Sequence, residues 1–189
     1  MKILTDDEIK NRLKFALDKL YVKDCYLLKH SAHERSITHK LAEYLQELFP
    51  DYDVDCEYNV DIDNANDRKV WLSDAARIKL EELLKKMKDE LIPENFDLTQ
   101  EIEKLSKNFY PDIIIHKRGT NKCNLLVIEA KKEGVNSEFD IEKLKAFTEI
   151  ANIHHFCYQL GAIVTLNVGG HFIGNDFTEP VYYQNGLAI

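Results

Sequence analysis

A mixed α/β (α+β) fold, with a central mixed β-sheet flanked by helices and a helical insertion, is predicted by three features of this 189-residue sequence. The stretch "YPDIIIHKRGTNKCNLLVIEAKK", residues 110–132, holds two adjacent apolar runs that read as strands covered on both faces. Residues 53–60 alternate polar and apolar side chains with a period of two, as a half-exposed strand does. Helical patterns precede and follow these strands, which gives the order α-α-β-(αα)-β-β-α-β and a sheet layered against helices.

Thr5, followed by Asp6, Asp7 and Glu8, opens a first helix over 5–20 whose apolar stripe is Ile9, Leu13, Ala16, Leu17 and Leu20. In "SAHERSITHKLAEYLQELFP", Ser31 and Glu34 stand at capping-box spacing; Ile37, Leu41, Tyr44, Leu45 and Leu48 line one helical face, and Pro50 ends it. The alternating strand sets Val54, Cys56, Tyr58 and Val60 against Asp53, Asp55, Glu57 and Asn59. Residues 61–109 read as a charged helical insertion, with one pattern from Ser73 to about Leu91, a break at Pro93 and a shorter pattern from about Thr99. Its lysines, Lys85, Lys86 and Lys88, are balanced by Glu81, Glu82, Asp89 and Glu90, as on a solvated helix face. Past the two apolar runs, a helix over 137–151 uses Phe139, Leu144, Phe147 and Ile150; "CYQLGAIVTLNV" is the next strand and "EPVYYQ" a last one. The length suits one compact domain, 1–189, without internal repeats or low-complexity tracts.

Net charge argues against nucleic acid as a partner: 25 Lys and Arg face 33 Asp and Glu, a formal −8, the opposite sign to that of a usual duplex DNA binder. The sign reverses locally, because 117–132 carries Lys117, Arg118, Lys122, Lys131 and Lys132 against Glu129 alone. Cys25, Cys56, Cys123 and Cys157 are too widely spaced for a zinc knuckle and are expected as reduced thiols in or near the core. The opening "MKILTDDEIK" has acids where a secretory leader is apolar, and uncharged runs fall short of the roughly 20 residues that span a bilayer. A cytoplasmic location and no membrane partner are expected.

The apolar runs end in charge, and that is the main functional signal. If 112–117 and 123–131 form a hairpin turning at Gly119, Thr120 and Asn121, Asp112 falls opposite Glu129 and Ile114 opposite Val127. Opposed residues share a face, and the period of two adds Lys131 to it. Two carboxylates close together raise one pKa unless a cation takes the space between them, and a hard divalent ion such as Mg²⁺ suits oxygen ligands of this kind. The alternative is a strand-entry turn at Pro111-Asp112 with a surface pair between Glu129 and Lys131.

"PD" at 111–112 followed, seventeen residues from Asp112, by "EAK" at 129–131 resembles the PD-(D/E)xK nuclease superfamily. The order of helix, strand, hairpin, helix and strand over about residues 31–168 also resembles its restriction-endonuclease-like core, with 61–109 outside it. The resemblance implies Mg²⁺-dependent hydrolysis of DNA phosphodiester bonds, with Mn²⁺ able to substitute, Asp112 and Glu129 as metal ligands and Lys131 as the catalytic lysine. A further acid from the first core helix maps to Glu34, which also faces the apolar stripe and also fits a capping box. Glu57, on the polar side of the first strand, competes for that role.

Lys117, Arg118, Lys122, Lys132 and Lys143 are candidate phosphate contacts, and Gln159 is an auxiliary candidate alongside Glu57. His30, His33, His39, His154 and His155 read as surface or capping residues. The expected activity is a metal-dependent DNA endonuclease, in a defence or repair setting. The rival is a catalytically weak nuclease-fold module serving as a DNA-binding or assembly subunit, with a protein partner or homodimer supplying the grip that a −8 chain lacks.

Overall fold

The computed structural model describes residues 4–58, 74–87, 100, 102, 110–150 and 156–189. Helix α1 (Asp6–Lys23) starts at a complete capping box, in which Thr5 accepts from the Glu8 amide and the Glu8 carboxylate accepts from the Thr5 amide. It runs three residues beyond the expected end and is followed by α2 (Cys25–Lys29), a short helix with no sequence expectation behind it. Helix α3 (Glu34–Leu48) buries Ile37, Leu41, Tyr44 and Leu45 as expected, but the Ser31–Glu34 capping box does not form. Ser31 adopts a left-handed φ of 47°, and His33 is the N-cap, its ring accepting from the Arg35 amide.

Strands β1 (Asp53–Cys56), β2 (Ile113–His116), β3 (Leu126–Lys132), β4 (Leu160–Leu166), β5 (Val181–Gln184) and β6 (Leu187–Ala188) form one six-stranded sheet in that order. All neighbours are antiparallel except β3 and β4, so the sheet is mixed. A parallel pair needs a crossover, and helix α5 (Glu138–Thr148) provides it. Strand β1 ends at Cys56 within the alternating pattern, where Glu57 takes a φ of 50°; Asn59 and Val60 of that pattern lie outside the described residues. The alternation therefore breaks there, and Tyr58 packs with the cluster on the far side from Val54.

The sheet is covered on both faces. Helices α1 and α3 pack on Ile113, Ile115, Leu126, Ile128, Ala130 and the even positions of β4. Helix α5 packs on Ile114, Val127 and Ile163 through Leu144 and Phe147. Helix α4 (Asp74–Met87), the described part of the 61–109 insertion, joins that second cluster through Leu80 and Leu83, so it is part of the core that covers the sheet. Lys85 and Lys86 are exposed on it; Lys88 and the patterns flanking Pro93 lie outside the described residues, apart from Gln100 and Ile102.

The remaining differences are local. Ile150 lies beyond α5 and is exposed, because the helix stops at Thr148. Asn185 and Gly186 both have positive φ, 53° and 77°, the geometry of a two-residue hairpin turn that adds β6 to the "EPVYYQ" strand. The four cysteines are free thiols; Cys56 and Cys157 are exposed and Cys25 and Cys123 half-buried, so none is a core residue.

Candidate active site

The register of β2 and β3 pairs Ile113 with Ile128, Ile114 with Val127 and Ile115 with Leu126. One step further outward sets Asp112 opposite Glu129, as the sequence predicts. The tip differs from the expected hairpin: Lys117 bridges Thr120 around Arg118 and Gly119 (φ 86°), and a 3₁₀ turn at Asn121–Cys123 takes up the offset between this tight turn and the strand register. The Ala130 amide, past the end of β2, donates to Asp112 Oδ2 at 2.7 Å, which pins the Asp112 carboxylate across the two strands.

Glu129 shares its face with Ile114 and Val127, so its side chain points toward α5 and is fully buried. On α5, the positions that face the sheet are Asp140, Lys143, Leu144 and Phe147, at intervals of three and four, and the first two carry charge. Lys143 Nζ lies 2.8 Å from Glu129 Oε1 and 3.3 Å from Asp140 Oδ1, and donates to the Tyr110 carbonyl at 3.4 Å. Lys131 Nζ lies 3.6 Å from Asp140 Oδ2 and 3.4 Å from Glu34 Oε1. One network thus joins the ends of β2 and β3, the start of α3 and the first turns of α5.

Four carboxyls face two ammonium groups here, an excess of two negative charges in a largely buried space. Burial, together with Asp112 and Asp140, pushes Glu129 well above the ordinary carboxylate value, and nearby Lys143 does not offset it. Asp112 is also raised by burial, against the opposing pull of the Ala130 amide and both lysines. Burial pulls Lys131 and Lys143 down, but the surrounding acids more than reverse this, so both stay above the usual lysine value and fully charged. The Lys143 ammonium is ion-paired with Glu129 Oε1, whereas the buried Oε2 has no hydrogen-bond partner. A buried carboxylate oxygen without a partner is costly, and it suits a cation.

Glu34 reaches the network because it is free of capping duty. Lys132, on the opposite face of β3 from Lys131, donates to the Ser31 carbonyl and hydroxyl at 3.0 and 3.1 Å, tying the chain before α3 to the end of the sheet. Glu57 pairs instead with Arg35 at 2.7 Å. Both acids line a cleft of about 340 Å³ with His33, Arg35, Tyr110 and Asp112, but among the contacts described only Glu34 touches Lys131. Among the described residues, no three His, Cys, Asp or Glu side chains are gathered closely enough to hold a metal ion; Lys143 stands among the acceptor oxygens.

The other candidates lie elsewhere. Gln159 precedes β4, opposite the start of β3, about 13 Å along the strands from Glu129. It donates to the Leu4 carbonyl and Asp6, and so anchors the start of α1. Arg118 forms a two-point pair with Asp55, which also holds His116, and Lys117 donates to the Asp51 carbonyl. Lys122 is exposed at the tip. Lys143 is buried within the cluster, while Asp140, absent from the sequence-based set, is central to it. Its signal is a charged residue on the stripe of Leu144 and Phe147, where an acid needs a partner. His30 bonds the Tyr26 carbonyl and His39 pairs with Glu43, both local roles; His154 and His155 lie outside the described residues.

The chain matches no protein-family model, no curated protein and no solved structure. Among the described residues, no helix is long and apolar enough to cross a membrane.

Proposed function

We propose that this protein is a metal-dependent DNA endonuclease with a restriction-endonuclease-like core of the PD-(D/E)xK type. The observation that carries the reading is the register: it sets Asp112 opposite Glu129, with Lys131 on the Glu129 face and bonded to Glu34. Glu129 and Asp112 would hold Mg²⁺ or Mn²⁺, with Asp140 and Glu34 as the further acids of the network, and the Glu129 carboxylate, whose Oε2 has no partner, is a donor that fits such an ion. The bound ion supplies Lewis acidity toward a phosphate oxygen and a water of lowered pKa. Lys131, held between Asp140 and Glu34, would stabilise negative charge developing on the phosphate. Burial raises the pKa of both Glu129 and Asp112, so a cation beside them would favour their ionised forms.

The test is a cleavage assay on duplex, nicked, branched and single-stranded DNA with Mg²⁺ or Mn²⁺, using the wild type, Asp112→Asn and Lys131→Ala. Cleavage of at least one substrate that both variants lose supports the nuclease. A specific observation favours the rival reading, a nuclease-fold module that binds or assembles without efficient cutting: the Lys143 ammonium already stands between Glu129 and Asp140. DNA binding by the wild type without metal-dependent cleavage of any form would establish that reading.

A further inference from the structure

Lys143 is the least expected member of the cluster. A lysine on the apolar stripe of a helix is normally solvated or absent. Here its Nζ sits against three oxygen acceptors of different origin: the Glu129 carboxylate at 2.8 Å, the Asp140 carboxylate at 3.3 Å and the Tyr110 main-chain carbonyl at 3.4 Å. Two carboxylates and a backbone carbonyl are also the donor set that a hard divalent ion takes. Lys143 lies on a different element from Lys131, and the two share Asp140, one on each of its oxygens. The cluster therefore already contains a cation at the point where the acids converge.

We propose that Lys143 is an internal counter-ion that occupies the acceptors of the metal site, so that a divalent ion binds only by displacing its ammonium. The inference rests on the nuclease reading and adds to it a residue that sets metal affinity. With the ammonium in place, the acids are held apart and partly neutralised. With a dication beside Glu129, Lys143 is repelled and leaves on its flexible stem, while Asp140 can follow it or turn to the ion. Affinity is then reduced by the cost of expelling an ammonium that has three acceptors, and half-maximal cleavage is shifted to higher free metal.

The experiment is a Mn²⁺ titration without DNA, followed by the electron paramagnetic resonance signal of free Mn²⁺, on the wild type, Lys143→Met and Lys143→Arg. The expected result is at least tenfold tighter binding by Lys143→Met and none of that gain in Lys143→Arg, which keeps the charge. A second measurement needs no variant: acetylation of wild-type lysines by acetic anhydride, read by mass spectrometry, should increase several-fold at Lys143 on saturation with Mg²⁺, because the displaced ammonium reaches solvent. Equal Mn²⁺ affinity in the wild type and a folded Lys143→Met, or Lys143 labelling unchanged by a metal that does bind, overturns the counter-ion role alone. Absence of binding by both proteins up to tens of millimolar Mn²⁺ overturns it together with the metal-dependent nuclease.

Discussion

Replacing Glu129 by Gln should stabilise the protein increasingly as pH rises. Glu129 is fully buried in a cluster with two more carboxyls than ammonium groups, and burial holds its folded-state pKa well above the ordinary 4.5. A group whose pKa is raised on folding binds more protons in the native state, so its stabilising effect is complete below about pH 4.5 and is lost as pH climbs through the folded value. In that window the wild type should lose up to about 1.4 kcal/mol per pH unit relative to Glu129→Gln, the value of one proton. The Gln amide removes the charge, leaves Lys143 its partner Asp140, and eases the ionisation of Asp112, which acts in the same direction. Urea midpoints of both proteins from pH 4 to 9 give the difference directly. Mg²⁺ at ten times its dissociation constant should return about 1.4 kcal/mol to the wild type at neutral pH and little to the variant. A difference that stays flat with pH, or one that grows in favour of the wild type, would refute the claim that Glu129 carries an unfavourable buried charge.

Other consequences are more local. Ile115→Ala, at a fully buried position between β2 and the α1–α3 layer, should cost about 2–5 kcal/mol in urea unfolding. Asp55→Asn should cost about 1–3 kcal/mol at neutral pH; since Arg118 and then His116 hold the Asp55 carboxyl low, that difference should shrink as pH falls below about 3.8. Gly186→Ala, at φ 77°, should cost about 1–2 kcal/mol in thermal unfolding without changing metal binding. On the nuclease reading, Ca²⁺ should tighten DNA binding, Asp112→Asn should bind without cutting, and filter binding by the isolated chain should show a log–log salt slope no steeper than about −4, or roughly 0.9 per phosphate contact.

The centre of the sheet is legible in the sequence because both faces of β2 and β3 are apolar, whereas the register that sets Ile114 against Val127 and brings the end charges together depends on where the chain turns, since a one-residue slip would leave the faces equally apolar. The helix stripes of α1 and α3 are legible for the same reason, as is Glu34, whose place on the stripe outweighs the capping pattern. The Ser31–Glu34 cap misleads because capping spacing is a local signal, and Lys132, 101 residues from Ser31, draws Ser31 into another conformation. Asp140 and Lys143 belong to a helix whose apolar positions are easily counted, yet their partners become visible only once the β3–α5–β4 crossover lays the helix over Glu129. The Asn185–Gly186 turn is a plain sequence signal for the β6 hairpin, obscured by the brevity of a two-residue strand.

The basic character of the hairpin, read from the sequence, also changes meaning once its partners are known. Of its cations, Arg118 is committed to Asp55, Lys117 to the Asp51 carbonyl with Asp53 nearby, Lys132 to Ser31 and Lys131 to the acidic cluster, which also holds Lys143 of α5, and Lys122 is left exposed at the tip. A phosphate can compete for such groups only by breaking an existing contact, so the net gain per contact is smaller than for a solvated lysine. Charge neutralisation at the site itself must therefore come from an added cation. On the nuclease reading, a divalent ion placed between Glu129, Asp112 and the phosphate would remove both the repulsion between acids and DNA and the need for a basic groove. On that reading DNA binding would be coupled to metal binding, and an acidic chain of −8 would be compatible with a nucleic-acid substrate.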